Sequence, residues 1–221
     1  MIHRNVTLII LVGAPGSGKG TLAQYLKEKF DICYFSTGVL LRNEVKKGTD
    51  IGRSVERIVE SGGLVEDSLV NEIVRKNIKD IEPEGKAVIL DGYPRTKEQA
   101  QFLDEIDNGA LKQTIKVIEL VVDNEEVIVR ISKRRVCAKC GNTYGPMDKI
   151  DICSCGGKLI KRKDDEELTV RNRLDEYEKA TLPLIDYYSD RIVKISGKRT
   201  PEENARVADN YLCDWGIERR R

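Results

Sequence analysis

Residues 13–21 read Gly-Ala-Pro-Gly-Ser-Gly-Lys-Gly-Thr. The G-x-x-x-x-G-K spacing from Gly13 to Lys19 suits a phosphate. Glycines let successive backbone N–H groups converge on one anion, which larger side chains would block. Lys19 adds a point charge for the outer phosphates. Gly20 follows the lysine, so the nearest hydroxyl comes one place later, at Thr21. A second set is Asp91-Gly-Tyr-Pro-Arg-Thr96, directly after the aliphatic run Ala87–Leu90. It puts Asp91 at the carboxyl end of a strand, where ligands bind in parallel sheets. Such a carboxylate can hold Mg²⁺ through water, and Arg95 can grip a phosphate with its planar fork.

A third set is Cys137-x-x-Cys140 and Cys153-x-Cys155, separated by 12 residues. Paired thiols at this spacing suit tetrahedral zinc. The second pair is one residue shorter than usual, but in an extended segment residues i and i+2 face the same way. Asp148 or Asp151 offers a fallback ligand. Two disulfides or four separate thiols would use the same residues, and a reducing compartment works against the former. A closed Cys₄ shell leaves no open position, so the metal would fold the segment rather than do chemistry. Cys33 and Cys213 read as buried structural thiols.

Composition narrows the field. Hydrophobic residues make up 40% of 221, enough for a sizeable core. Lysine and arginine (38) balance aspartate and glutamate (37), which argues against a protein that coats nucleic acid. The single histidine, His3, stands near the first residue, so Ser-His-Asp or Cys-His catalysis has little to draw on. No apolar run approaches the ~18 residues of a membrane span. Val6–Val12 is too short and runs into the glycine-rich loop, which is not a signal-peptide pattern. The expectation is a cytoplasmic protein with no membrane partner.

The elements that must position these residues alternate. Val6–Val12, Ile32–Phe35, Ala87–Leu90, Val117–Val122 and Ile192–Ile195 read as strands. Thr21–Phe30, Leu40–Gly62 (interrupted near Gly48), Asp67–Ile78, Asn124–Arg135 with an asparagine cap, Thr169–Asp190 distorted at Pro183, and Pro201–Leu212 read as helices. Alternation predicts an α/β doubly wound fold on a parallel sheet. Cys137–Lys163 lacks either periodicity and reads as a small inserted module.

Gly13–Thr21, Ser36–Arg42, Gly62–Val65, Asp91–Thr96 with Gln99, Arg130–Arg135, and Arg162–Asp165 followed by Arg171 and Arg173 occur in order along the chain. This series resembles the nucleoside monophosphate kinases, and within them the long-form adenylate kinases, over essentially the whole chain. The resemblance implies a P-loop NTPase-type core (1–35, 67–132 and 171–221), an inserted helical NMP-binding subdomain (36–66) and a zinc-binding LID (133–170). It implies reversible, Mg²⁺-dependent transfer between ATP and AMP, giving two ADP, by a monomer. Gly16, Ser17, Gly18, Lys19, Gly20 and Thr21 would hold the ATP phosphates, with Arg130 against the ATP base. Thr21 and Asp91 would face magnesium through water. Thr37, Arg42, Gly63, Leu64, Val65, Gly92, Arg95 and Gln99 would form the AMP site, with Gln99 on the adenine edge. Lys19, Arg95, Arg134, Arg162 and Arg173 would surround the transferred phosphoryl, and Asp164 and Asp165 would help fold the LID back. The four cysteines fall where zinc-bearing LIDs of the family carry their ligands.

Three positions depart from the family pattern. Val39 stands where the family usually has Asp, Gly63 where a polar residue is common, and Tyr93 where Phe is common. The alternatives are a UMP or CMP acceptor, a GTP donor, or a zinc-ribbon nucleic-acid module on an ATPase-like core.

Overall fold

The computed structural model describes residues 6–79, 87–106, 114–145 and 150–220. His3 and Asp148 lie outside them. In chain order the core elements are β1 Leu8–Val12, α1 Lys19–Lys29, β2 Ile32–Ser36, α2 Thr37–Lys47, α3 Asp50–Ser61, α4 Asp67–Lys79, β3 Ala87–Asp91, α5 Lys97–Glu105, β4 Ile115–Val121 and α6 Asn124–Lys133. Three short strands follow: β5 Arg135–Cys137, β6 Thr143–Tyr144 and β7 Leu159–Ile160. The chain closes with α7 Glu167–Glu176, α8 Leu184–Tyr187, β8 Ile192–Ser196 and α9 Pro201–Asp214.

Five strands form one parallel sheet in the order β2-β3-β1-β4-β8. The aliphatic run of β1 shows why it is central. Its side chains alternate: Leu8, Ile10 and Val12 enter one core with residues of α4 and α5, while Ile9 and Leu11 enter a second core with α1 and α9. A strand buried on both faces needs apolar residues at every position, and all five of β1 are buried. Each such side chain contributes roughly 1.5–3 kcal/mol on burial. The site is therefore built on a floor that does not move.

Local signals set the boundaries. Gly48, at φ 64°, ends α2, and the Thr49 hydroxyl then accepts from Gly52 N–H at 3.0 Å to start α3. The interruption expected near Gly48 is thus the boundary between two helices. Before α9, Thr200 and Glu203 form a reciprocal capping box with proline at the first helical position.

Two expectations fail locally. Asn124 lies inside α6; the cap position is Asp123, whose side chain makes no capping bond. The helix expected over 169–190 breaks earlier than Pro183. A π-helical turn at Tyr177–Thr181 closes with Leu182 N–H bonded to Tyr177 C=O at 2.8 Å. The widened turn lets Thr181 Oγ1 donate to Arg95 C=O at 2.9 Å, so it anchors the loop after β3. The cysteine segment, expected as a small inserted module, carries its own antiparallel sheet, β6-β5-β7. Strands of two or three residues are too short to show a period.

Candidate functional site

The carboxyl ends of β1, β2 and β3 open into a cleft of about 830 Å³. Its floor is the glycine loop between β1 and α1, where shape requires glycine at two points. A Cβ on Gly13 would stand 2.7 Å from Leu120 O, and one on Gly16 would stand 2.6 Å from Ile131, both at positive φ. Gly16, Ser17, Gly18, Lys19, Gly20 and Thr21 all line the cleft. Lys19 Nζ donates to Gly13 O at 2.6 Å and Ala14 O at 2.9 Å. Burial lowers its pKa to about 8; Asp91 partly offsets this, while Arg95, Arg173 and Arg134 add to it.

Asp91 ends β3 beside this loop. Its Oδ2 accepts from the Tyr34 phenol at 2.7 Å. Tyr34 and Ser36 lie two residues apart on β2, and Ser36 is the register partner of Asp91. One carboxylate oxygen is thus held by protein while the carboxylate still lines the cleft with Thr21. A half-occupied carboxylate beside a hydroxyl fits a water-coordinated magnesium ion.

Six cations crowd the same space: Lys19, Arg42, Arg95, Arg134, Arg162 and Arg173. The carboxylates set among them are Asp91, Asp164 and Asp165. Arg134 grips Asp165 with two N–H groups, Nε at 2.9 Å from Oδ2. Arg162 grips Asp164 likewise, Nε at 2.8 Å from Oδ1. Arg173 Nη1 reaches both carboxylates, at 3.2 Å and 3.5 Å. Burial works against the charged form of Asp164, but the Arg162 hydrogen bond and the charges of Arg162, Arg173 and Arg42 hold it well below the usual carboxylate range. Burial and neighbouring cations, Arg162 foremost, lower Arg42 to about 10 and Arg173 to about 9. Both stay charged at neutral pH, in mutual repulsion that a polyanion would relieve.

Behind Arg95 lies a recess bounded by Thr37, Gly63, Leu64, Val65, Gly92 and Gln99. Thr37 Oγ1 and Arg95 Nε both donate to Gly92 O, at 2.8 Å and 3.0 Å. Arg130 lies on the outer wall, where it meets Glu126 at 2.8 Å and donates to Gly197 O at 2.7 Å.

α2 and α3 touch the cysteine segment across the cleft. Lys46 Nζ donates to Ala138 O at 3.3 Å, and Lys163 meets Glu60 at 3.5 Å. A Cβ on Gly141 would stand 3.9 Å from Val39 Cγ1.

The sulfurs of Cys137, Cys140, Cys153 and Cys155 all lie within 4.8 Å of one another, as four ligands of one metal ion require. Cys155 sits in a turn closed by Gly156 N–H on Cys153 O at 2.8 Å, so this segment is not extended as expected. The turn brings the sulfurs together instead. The Tyr144 phenol donates to Cys153 Sγ at 3.0 Å and lowers that thiol to about 6, favouring the thiolate. Asp151 is exposed and outside the cluster. Cys213 is exposed and Cys33 half-buried, so neither fits the expectation of a buried thiol.

Sequence reasoning missed Tyr34 and Asp67, both partners of predicted site residues. The signal available for Tyr34 was its place two residues before Ser36 on the same strand face.

The family model for adenylate kinase matches residues 11–193. The adenylate kinase of Fervidobacterium nodosum is 43% identical over 211 residues, covering 92% of this chain and 96% of that protein. That of Petrotoga mobilis is 38% identical over 213 residues (92% and 96%), and that of Caldicellulosiruptor bescii 42% over 217 (95% and 99%). The glycine loop, the arginine-lined cleft and the likeness over nearly the full length together place this chain in the adenylate kinase family.

Proposed function

We propose that the protein transfers the terminal phosphoryl group of Mg-ATP reversibly to AMP, giving two ADP. The observation that carries this is the convergence of Lys19, Arg42, Arg95, Arg134, Arg162 and Arg173 on one cleft with a recess behind it. Two polyanions have to meet in line, and the charge that spreads over the transferred group has to be bound from several sides. The attacking group is a phosphate, largely ionised at pH 7 because its second pKa is about 6. It needs no general base.

Lys19 exchanges the Gly13 and Ala14 carbonyls for the outer ATP phosphates, which the amides of 16–21 also hold. Arg130 lies against the ATP base. Arg42 and Arg95 bind the AMP phosphate; Thr37, Gly92 and the Gly63–Val65 backbone shape its seat, and Gln99 meets the adenine edge. Arg134, Arg162 and Arg173 bear on the transferring group, held in place by Asp164 and Asp165. Thr21 and Asp91 would hold magnesium through water, which supplies charge neutralisation at the bridging phosphates. Closure over the site keeps water from taking the phosphoryl group.

Residues 1–35, 67–132 and 171–221 act as the core, 36–66 as the acceptor subdomain and 133–170 as the lid. Structural zinc on Cys137, Cys140, Cys153 and Cys155 holds the lid's shape, a reading the sulfur geometry supports. Among the described residues no helix is long and apolar enough to cross a membrane. We read the protein as a cytoplasmic monomer; its near-balanced charge favours nucleotides over nucleic acids as partners.

The test is the initial rate of ADP formation from Mg-ATP with AMP, GMP, CMP and UMP. Turnover with AMP is expected. Turnover mainly with UMP or CMP would overturn the acceptor assignment, and none with folded protein would overturn the function.

A further inference from the structure

The Gln99 side chain is 2% exposed, and one face of it bounds the recess behind Arg95. Its two amide atoms are already engaged on the other side. Oε1 accepts from the Arg95 backbone N–H at 2.8 Å, and Nε2 donates to Asp67 Oδ1 at 2.6 Å. The other carboxylate oxygen, Oδ2, accepts from Thr96 Oγ1 at 2.6 Å, and that hydroxyl in turn accepts from Gln99 N–H at 3.1 Å. These neighbours settle which end of the amide is which. A backbone N–H can only donate and a carboxylate can only accept, so both demand the same orientation. One N–H of Nε2 and one lone pair of Oε1 are left for the recess.

We infer that Asp67 is a positioning residue for base specificity: by holding Gln99 in one orientation it makes the recess accept a 6-amino purine and reject a 6-oxo purine. The inference rests on the reading above that Gln99 meets the adenine edge. Adenine offers an exocyclic N–H donor beside a ring-nitrogen acceptor, which matches the free lone pair and the free N–H. Hypoxanthine and guanine offer an oxygen acceptor beside a ring N–H donor. Against the fixed amide they set acceptor on acceptor and donor on donor. A freely turning glutamine would accommodate either base by flipping. Here a flip sets its oxygen against the Asp67 carboxylate and its NH₂ against the Arg95 N–H. Desolvated polar groups left unmatched in this way cost enough to change relative rates by ~10–100-fold. Asp67 itself does not line the recess, so it acts only through Gln99.

The experiment compares AMP and IMP as acceptors, which differ in their base only at the purine 6-position and N1. It reads kcat and KM for each, with thermal melts to confirm folding. Asp67→Ala is expected to lower the AMP:IMP ratio of kcat/KM several-fold, the Arg95 N–H still favouring the native orientation of Gln99. The loss should fall mainly in KM for AMP, with kcat on AMP within a few-fold. Asp67→Asn should restore most of the discrimination, because its carbonyl can still accept from Nε2 while its amide faces Thr96. Should the alanine variant fail to fold, Asp67→Ser, too short to reach Gln99, carries the same expectation. Equal losses for AMP and IMP, or an Asp67→Asn as indiscriminate as Asp67→Ala, would overturn the inference. Gln99→Ala separates the two claims. If it collapses the ratio while Asp67→Ala does not, only the positioning role fails. If the ratio survives Gln99→Ala, the adenine contact itself fails and takes this inference with it.

Discussion

The most exposed to pH of the site residues is Lys19. In the unfolded chain it titrates at its ordinary 10.5; in the folded protein burial and nearby arginines lower it to about 8. For function, kcat/KM for ATP is expected to fall above about pH 8, as free enzyme loses the charge that meets the phosphates. For stability the sign is opposite. Between the two values the unfolded chain holds the extra proton, so the destabilisation from Lys19, complete below about pH 8, is relieved as pH rises toward 10.5. Denaturation of wild type against Lys19→Met across this range should show wild type gaining. Tyr93, where the family commonly has Phe, gives a second residue-scale expectation. Its fully buried phenol lies 2.6 Å from Asn71 Oδ1 and 3.2 Å from Gln99 O. Tyr93→Phe should cost about 1–2 kcal/mol, read as a lower denaturation midpoint at unchanged slope. Residues such as Lys19, Asp91 and Arg95 were legible because their neighbours in sequence are also their neighbours in space. Tyr34 and Asp67 were not. Their partners lie 57 and 32 residues away, and only the packing of strand on strand and helix on loop brings them together.

Among the elements, the cysteine segment stands apart in how it is held. Its three strands are short, and Ile150, Ile152 and Ile160 are exposed rather than packed. The buried side chains at its centre are Cys137 and Cys153. A unit with so little apolar burial would depend on the metal cross-link proposed for its four thiols. Metal removal should therefore lower the melting temperature by ~2–4 °C for each kcal/mol the metal contributes. Protein that remains folded should keep some turnover, because the cluster does no chemistry. Calorimetry and ADP-formation rates before and after chelation check this; complete loss of turnover in fully folded protein would contradict it. The cysteine spacing announced the cluster, whereas the turn that completes it depends on Gly156 and could not be read from period. The π turn at Tyr177–Thr181 was hidden for a similar reason.

For the whole molecule, the parallel sheet followed from aliphatic runs alternating with helices, since a run apolar at every position has to be covered on both faces. What alternation cannot convey is how distant insertions lie relative to one another. The contacts Lys46–Ala138 and Lys163–Glu60 join segments some 90–100 residues apart, and neither is signalled locally. A double variant, Lys46→Met with Lys163→Met, should leave the affinity for either nucleotide alone nearly unchanged. It should reduce by up to about fivefold the gain in affinity that one nucleotide confers on the other, the scale expected of exposed polar pairs. Titration calorimetry with a non-hydrolysable ATP analogue, with and without AMP, measures that gain. If the donor and acceptor sites are as proposed, these bridges would couple the affinities of the two substrates. By reciprocity, whatever factor the donor adds to the acceptor's affinity, the acceptor returns to the donor. The same linkage would run in reverse after transfer: each of two bound ADP molecules would slow the other's release, and the departure of one would loosen the second. Turnover would then be paced by the first exit, and any change that eases these bridges would trade fidelity against water for speed of release.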